Sequence, residues 1–293
     1  MDKKRMLYLK NLMLAYYDVD ASRKKLEEDP ENAMYIYELG RALSDRGDYE
    51  EAVETFSKGL IIDPFNAHLY FGRGVVRSNN GGYWEGISDL AMATHLIPEN
   101  WSFWYYLATA KNLHGDYAGS LAAFKRAAQE STPEESYPEV HWLYTINLLE
   151  LNDPDSAQEA LNLIPDYCEA PMNDYAYRRN VMLYKGLLNE NNFIDMEDIK
   201  KHAVKQENRV YLELNTMYYG LYAYAKKHNN EELMDRALRE IMKVAIPKAF
   251  GFKKCLPIAI ERGIVTPEEA QAIIDGSAER ASMSTWDPSV DEN

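Results

Sequence analysis

Residues 30–49 read PENAMYIYELGRALSDRGDY, residues 64–83 read PFNAHLYFGRGVVRSNNGGY, and residues 98–117 read PENWSFWYYLATAKNLHGDY. Shifting the chain over itself by 34 positions puts Pro30, Pro64 and Pro98 in one column and Asn32, Asn66 and Asn100 in another. Further columns are Ile36, Tyr70 and Trp104; Gly40, Gly74 and Ala108; Gly47, Gly81 and Gly115; and Tyr49, Tyr83 and Tyr117. The register continues through Ala52, Gly86 and Ser120, then Phe56, Leu90 and Phe124, then Gly59, Ala93 and Ala127. A repeat of this length is one supersecondary unit that buries its apolar face only by stacking on its neighbours.

Each column has a physical role. The asparagines fit helix N-caps, where a side-chain oxygen accepts from the orphan amides of the first turn. About four turns later the glycines at 47, 81 and 115 suit the left-handed position just past a helix end. In Asp48-Tyr49-Glu50-Glu51 an acidic cap with a glutamate three residues on is a variant capping box, and it predicts the start of a second helix. Proline then ends that helix. Small residues at 40, 74 and 108 and at 52, 86 and 120 allow close approach of the two backbones. The tyrosine column at 49, 83 and 117 and the column headed by Phe56 are spaced to bury a stripe, and Trp104 falls in a core column with Ile36 and Tyr70.

Period, small residues, glycine, tyrosine, aromatic and closing proline together resemble the tetratricopeptide repeat (TPR) family over residues 32–132. The resemblance implies an all-α, right-handed solenoid of antiparallel helix pairs, with a concave face lined by the first helices. The middle repeat departs from it, since Arg73 and Arg77 stand where Leu39 and Leu43 stand one repeat earlier. Residues 1–31 read as N-terminal capping helices, at 2–17 and 21–28, and residues 133–276 as a degenerate TPR-like helical region. Within that region helices are expected at 139–151, 154–164, 174–190, 195–206, 208–228 and 230–245. A short terminal helix follows, from the start signal Thr266-Pro267-Glu268-Glu269 to Gly276, and residues 277–293 read as a disordered acidic tail.

Composition narrows the function. The 293 residues carry 32 basic and 47 acidic side chains, a net charge of −15, which argues against nucleic-acid and anionic-membrane binding. Residues 1–132 hold 15 basic and 19 acidic groups, and residues 133–293 hold 17 and 28, so the negative field lies mainly in the second half. Cys168 and Cys255 form no paired-cysteine motif, and the six histidines show no metal-ligand spacing, so neither a disulfide framework nor a structural metal is expected. No apolar run approaches the roughly 20 residues of a membrane span, and a cytoplasmic location is expected. Gly72-Arg73-Gly74 and Gly81-Gly82 fall inside the repeat register and do not read as a phosphate loop. No nucleophile elbow is present, and no cofactor is expected.

The first helices present a second stripe beside the one they bury. It comprises Met34, Tyr37, Arg41 and Ser44; His68, Phe71, Val75 and Ser78; and Ser102, Tyr105, Thr109 and Asn112. Of these, Met34, Tyr37, Arg41, His68, Phe71, Val75, Tyr105, Thr109 and Asn112 are the expected partner-binding residues, with Tyr37, Phe71 and Tyr105 at the centre. The alternative for those rings is packing against the next repeat, and the same choice applies to Trp101 and to Tyr218, Tyr219, Tyr222 and Tyr224. Family members that hold the C-terminal carboxylate of heat-shock chaperones do so with lysines, arginines and asparagines on this stripe. Those residues are largely missing here, so that ligand is not expected. The sequence therefore points to an interaction scaffold that takes a peptide or helix with apolar or aromatic anchors. Two alternatives are a peptide-sensing regulator or export chaperone, and an enzyme with its site in 166–276, where Cys168, His202 and Cys255 are the conspicuous reactive groups.

Overall fold

The computed structural model describes residues 17–131, 137–165, 175–202 and 207–277. Among these residues every regular element is a helix: α1 Val19–Glu28, α2 Ala33–Arg46, α3 Tyr49–Ile62, α4 Ala67–Asn79, α5 Tyr83–Leu96, α6 Trp101–Leu113 and α7 Tyr117–Glu130. They continue with α8 Tyr137–Glu150, α9 Pro154–Asn162, α10 Tyr175–Tyr184, α11 Met196–His202, α12 Glu207–Lys227, α13 Glu231–Lys243, α14 Phe250–Glu261 and α15 Pro267–Gly276. The chain divides into two compact units within α6, after Lys111.

In the first unit the asparagine caps form as expected. The Asn32 side chain accepts from the amides of Met34 and Tyr35, and Asn66 accepts from those of His68 and Leu69. Each asparagine also donates to an aspartate three residues earlier, Asp29 and Asp63, which fixes its orientation. Gly47 and Gly81 sit at φ 101° and 94°, a region costly for any residue with a Cβ. Asp48 departs from the expected capping box: it makes no side-chain cap bond and its carboxylate pairs with Arg46 instead. The Arg46 guanidinium two residues away holds the Asp48 carboxylate in place of the α3 amides.

Packing explains the small residues. Phe56 of α3 is fully buried, and a Cβ on either Gly40 of α2 or Gly72 of α4 would stand 2.5 Å from its ring. Phe56 thus wedges between consecutive first helices because both lack a side chain there. Leu90 and Phe124, the same column in the next repeats, are also fully buried. The tyrosine column is more exposed than its periodicity implies: Tyr49 and Tyr117 are half-buried, and Tyr83, at the start of α5, is exposed. Trp104 is half-buried, with its indole donating to the Pro98 carbonyl.

The two arginines of the middle repeat are compensated by a residue the columns do not single out. Asp89 of α5, 5% exposed, receives a two-pronged bond from Arg73 (2.7 and 2.8 Å) and a third from Arg77 (2.9 Å). Arg73 also donates to Ser57 of α3. A charged lock therefore replaces the leucine contact used at the equivalent place in the first repeat.

The second unit packs α8 on α7 and α9, α10 on α8 and α12, and α14 on α12 and α13. Trp142 is its largest fully buried side chain, touched by the rings of Tyr177, Tyr184 and Tyr219. Asn147, completely buried, accepts from Asn112 and Ser120 and donates to the Tyr117 carbonyl, joining α8 to α7. The expected helices are present with shifted ends: α10 stops at Tyr184 rather than 190, while residues 203–206 of the expected 195–206 helix lie outside the described residues. No helix is named from the sequence between 245 and 266, yet α14 forms there, with Pro257 inside it. The terminal helix is as read, with the full Thr266–Glu269 capping box. Helix α14 also returns to the start of the unit: Lys254 lies over the Tyr117 ring, bonds its hydroxyl at 3.2 Å and approaches Glu150 at 3.8 Å. The expected helix at 2–17 falls almost wholly outside the described residues, as do Cys168 and the expected tail beyond 277.

Candidate functional site

The first helices of the repeats place their side chains at a spacing that brings rings from α2, α4 and α6 together. Tyr37 meets Phe56 at 6.1 Å between centroids and His68, edge-on, at 5.8 Å. His68 meets Phe103 at 5.6 Å, Phe103 stacks on Phe71 at 4.9 Å, and Phe71 meets Tyr106 edge-on at 5.1 Å. Tyr106 touches Tyr105, and Tyr105 touches Trp101. The result is a continuous run of rings across three repeats, in tilted, edge-to-face and stacked arrangements.

Burial sorts the expected binding residues into two sets. Tyr37, Phe71, Tyr105 and Thr109 are 1%, 3%, 8% and 9% exposed, so in the chain as it stands these side chains are packing groups. Asn112 is likewise buried and committed to Asn147. Ser102 is buried and bonded to the Asn100 cap, while Ser44 and Ser78 are half-buried. Met34, Arg41, His68 and Val75 are also half-buried and remain at the surface. The residue missed in sequence is Tyr106, one position after the expected Tyr105, exposed at 36% and resting on Phe71. Both tyrosines lie next to the same stripe, and only the pitch of α6 decides which faces out.

Arg41 gives this face its charge. Its guanidinium donates to the Tyr37 hydroxyl at 3.1 Å. Burial disfavours the cation, but Tyr37, Asp45 and Tyr106 favour it more strongly, and the net direction is upward, so Arg41 stays charged. Asp45 of α2 and Tyr106 of α6 are thus near enough to act electrostatically on Arg41. The arrangement offers a cation beside aromatic surface, with the His68 imidazole in the same run of rings.

Of the reactive groups named from the sequence, Cys255 is the one whose side chain lies among the described residues. The Cys255 thiol is fully buried, and burial pushes its pKa well above the usual thiol range, helped by Glu150 and opposed by Lys254. Tyr219 is raised in the same way, and Tyr222 is pushed up to about 12, both chiefly by burial. Tyr219 and Tyr222 are buried, while Tyr218 and Tyr224 are half-buried, so this cluster is mainly core. Among the described residues no group of three or more His, Cys, Asp or Glu side chains is placed to hold a metal, and no helix is long and apolar enough to cross a membrane.

Asparagine-capped helix pairs stacked through small residues define a helical-repeat protein. Residues 40–81 match the family model described as TPR repeat and residues 71–135 the one described as Tetratricopeptide repeat, so residues 40–135 carry tetratricopeptide repeats. No curated protein matches the sequence. Among solved structures the fold is similar to the crystal structure of YrrB, described as a TPR protein with an unusual peptide-binding site, at 17% identity over 76% of this chain and 92% of that one, TM-score 0.45. It is also similar to a crystal structure of MamA, at 16% identity over 58% of this chain and 84% of that one, TM-score 0.44. Yeast Tom70 is similar at 18% identity over 92% of this chain and 51% of that one, TM-score 0.47.

Proposed function

We propose that the chain is a protein-interaction scaffold, and that the first-helix face of its repeats takes a peptide or helix of a partner protein. The observation that carries this reading is the run of rings from Tyr37 to Tyr106, which ends in an exposed tyrosine beside the charged Arg41. An aromatic surface next to a fixed cation suits a ligand that presents an apolar or aromatic anchor together with an acidic group. Met34, His68 and Val75 would form the flanking contacts. The buried Tyr37, Phe71 and Tyr105 would act by holding Arg41 and Tyr106 in place, and Thr109 and Asn112 by stiffening α6. Nucleic acid, membrane lipid and the chaperone C-terminal carboxylate fit this face poorly, the first two because of the net charge of −15.

The test is affinity capture from native host lysate with the full chain and with the double variant Arg41→Ala/Tyr106→Ala, after circular dichroism confirms that the variant unfolds within a few degrees of the parent. A specific protein retained by the parent and lost by the variant supports the reading. Equal recovery of the same protein by both contradicts it.

A further inference from the structure

The turn between α4 and α5 differs from its two counterparts. In the first and third repeats Gly47 and Gly115 follow Arg46 and His114, whereas Gly81 follows Asn80, and this is the one place in the chain where asparagine precedes glycine. The backbone amides differ too. Gly47 donates to the Leu43 carbonyl at 3.0 Å and Gly115 to that of Asn112 at 3.0 Å, while the Gly81 amide has no acceptor among the described residues. The bonds that close its turn come from Asn80 and Gly82, both to the Arg77 carbonyl, at 3.1 and 2.9 Å.

Asn80 and Gly81 are both exposed, and a Cβ built on Gly81 would have nothing within 4 Å of it. Water and hydroxide therefore reach this peptide bond. An asparagine side chain is attacked most easily by the amide nitrogen of a following glycine, which has no Cβ in the path of approach and turns through φ and ψ without steric penalty. The Asn80 carboxamide is held by one bond, from Nδ2 to the Val76 carbonyl at 2.7 Å. That bond lies at a helix end, where local opening costs little.

We propose that Asn80 is a site of spontaneous covalent modification, at which the chain turns its own asparagine into aspartate and isoaspartate. The Gly81 nitrogen gives its proton to solvent base and bonds to Asn80 Cγ; the Cγ–Nδ2 bond breaks and ammonia leaves, closing a cyclic imide. Water then opens the ring. Breaking the bond between Cγ and the ring nitrogen leaves aspartate, and breaking the bond between the backbone carbonyl carbon and that nitrogen leaves isoaspartate. The net change is carboxamide and water to carboxylate and ammonia, with nothing oxidised or reduced. Either product places a negative charge three residues after Arg77, whose guanidinium already serves Asp89. Isoaspartate also lengthens the main chain between the two amides that share the Arg77 carbonyl, and so loosens the start of α5, where Tyr83 and Trp84 are exposed. The site stands independently of where a partner protein seats.

The full chain is held folded at 37 °C and pH 8, sampled over several weeks and digested, and its asparagine-containing peptides are weighed by mass spectrometry. Isoaspartate is counted by enzymatic methylation of its free α-carboxylate with a labelled methyl group. The expected result is conversion at Asn80 ahead of the other exposed asparagines, Asn162, Asn189 and Asn229 among them, with loss of most of the methyl label in Asn80→Ser. Asn80 converting no faster than those residues, label unchanged in Asn80→Ser, or aspartate formed without isoaspartate, as direct hydrolysis would give, overturns the proposal.

Discussion

Replacing Asp89 by alanine strands two partly buried guanidinium groups, because Arg73 and Arg77 both spend their bonds on that carboxylate. Breaking such a pair from one side costs about 3 kcal/mol, whereas exchanging the whole lock for apolar groups is close to neutral. Asp89→Ala should therefore lower the urea midpoint clearly, and the combination Asp89→Ala with Arg73→Leu and Arg77→Leu, the residues found at positions 39 and 43, should recover most of the loss. A triple variant no more stable than the single one would show that the lock does more than fill a leucine site. At His141 the outcome is set by pH. Burial depresses its pKa to about 4, outweighing a backbone bond at Ala128 that acts the other way. The unfolded chain takes up this proton near pH 6.5 and the folded chain only near 4, so the contribution is complete above about 6.5 and is lost as pH falls toward 4. That difference amounts to about 3 kcal/mol. Urea titrations from pH 7.5 to 4.5 should show the parent losing stability more steeply than His141→Leu; parallel slopes would contradict this. Neither feature was legible in sequence, since Asp89 falls outside the repeat columns and a lone histidine does not declare its burial.

Element ends are where sequence and structure agree best, because a cap is a local interaction between residues two or three apart. Asn32, Asn66, Gly47, Gly81 and the Thr266–Glu269 box all appear as their chemistry requires. Thr266→Ala removes one capping bond, worth about 1 kcal/mol. Because α15 is the last described helix, the loss should appear as faster amide exchange confined to residues 267–276, with the overall unfolding midpoint nearly unchanged. Protection unaltered in that segment would show that packing, not the cap, holds the helix. Asp48 and α14 are the failures at this scale, and both have physical causes. Asp48 had a competing cation in Arg46, and in α14 the penalties of Gly251 and Pro257 are outweighed by burial of Gly251, Phe252, Cys255 and Ala259. Tertiary packing overrides propensity in a way that no window of sequence reports.

At the scale of the molecule, the 34-residue period revealed the helix pairs and the face formed by their first helices, since stacking is the way such units bury their stripe. It did not reveal which rings stay on that face: Tyr105 and Tyr106 are neighbours, and a small rotation of α6 exchanges their roles. Nor did it show that α14 returns to Tyr117 and Glu150, a contact spanning 137 positions along the chain. Glu150 faces Lys226 at 3.2 Å and Lys254 at 3.8 Å, and Glu150→Gln should destabilise the second unit by about 1 kcal/mol, read as a lower urea midpoint.

The central claim is that a partner protein seats on the first-helix face, and site-specific photo-crosslinking tests it most directly. A photoreactive residue is placed at Val75 or Tyr106 on that face, and at Ile61 or Trp84, which are exposed on second helices. After irradiation in native host lysate, the same partner should be trapped from positions 75 and 106 and not from 61 and 84. A partner trapped from 61 and 84 while 75 and 106 remain unreacted would contradict the account.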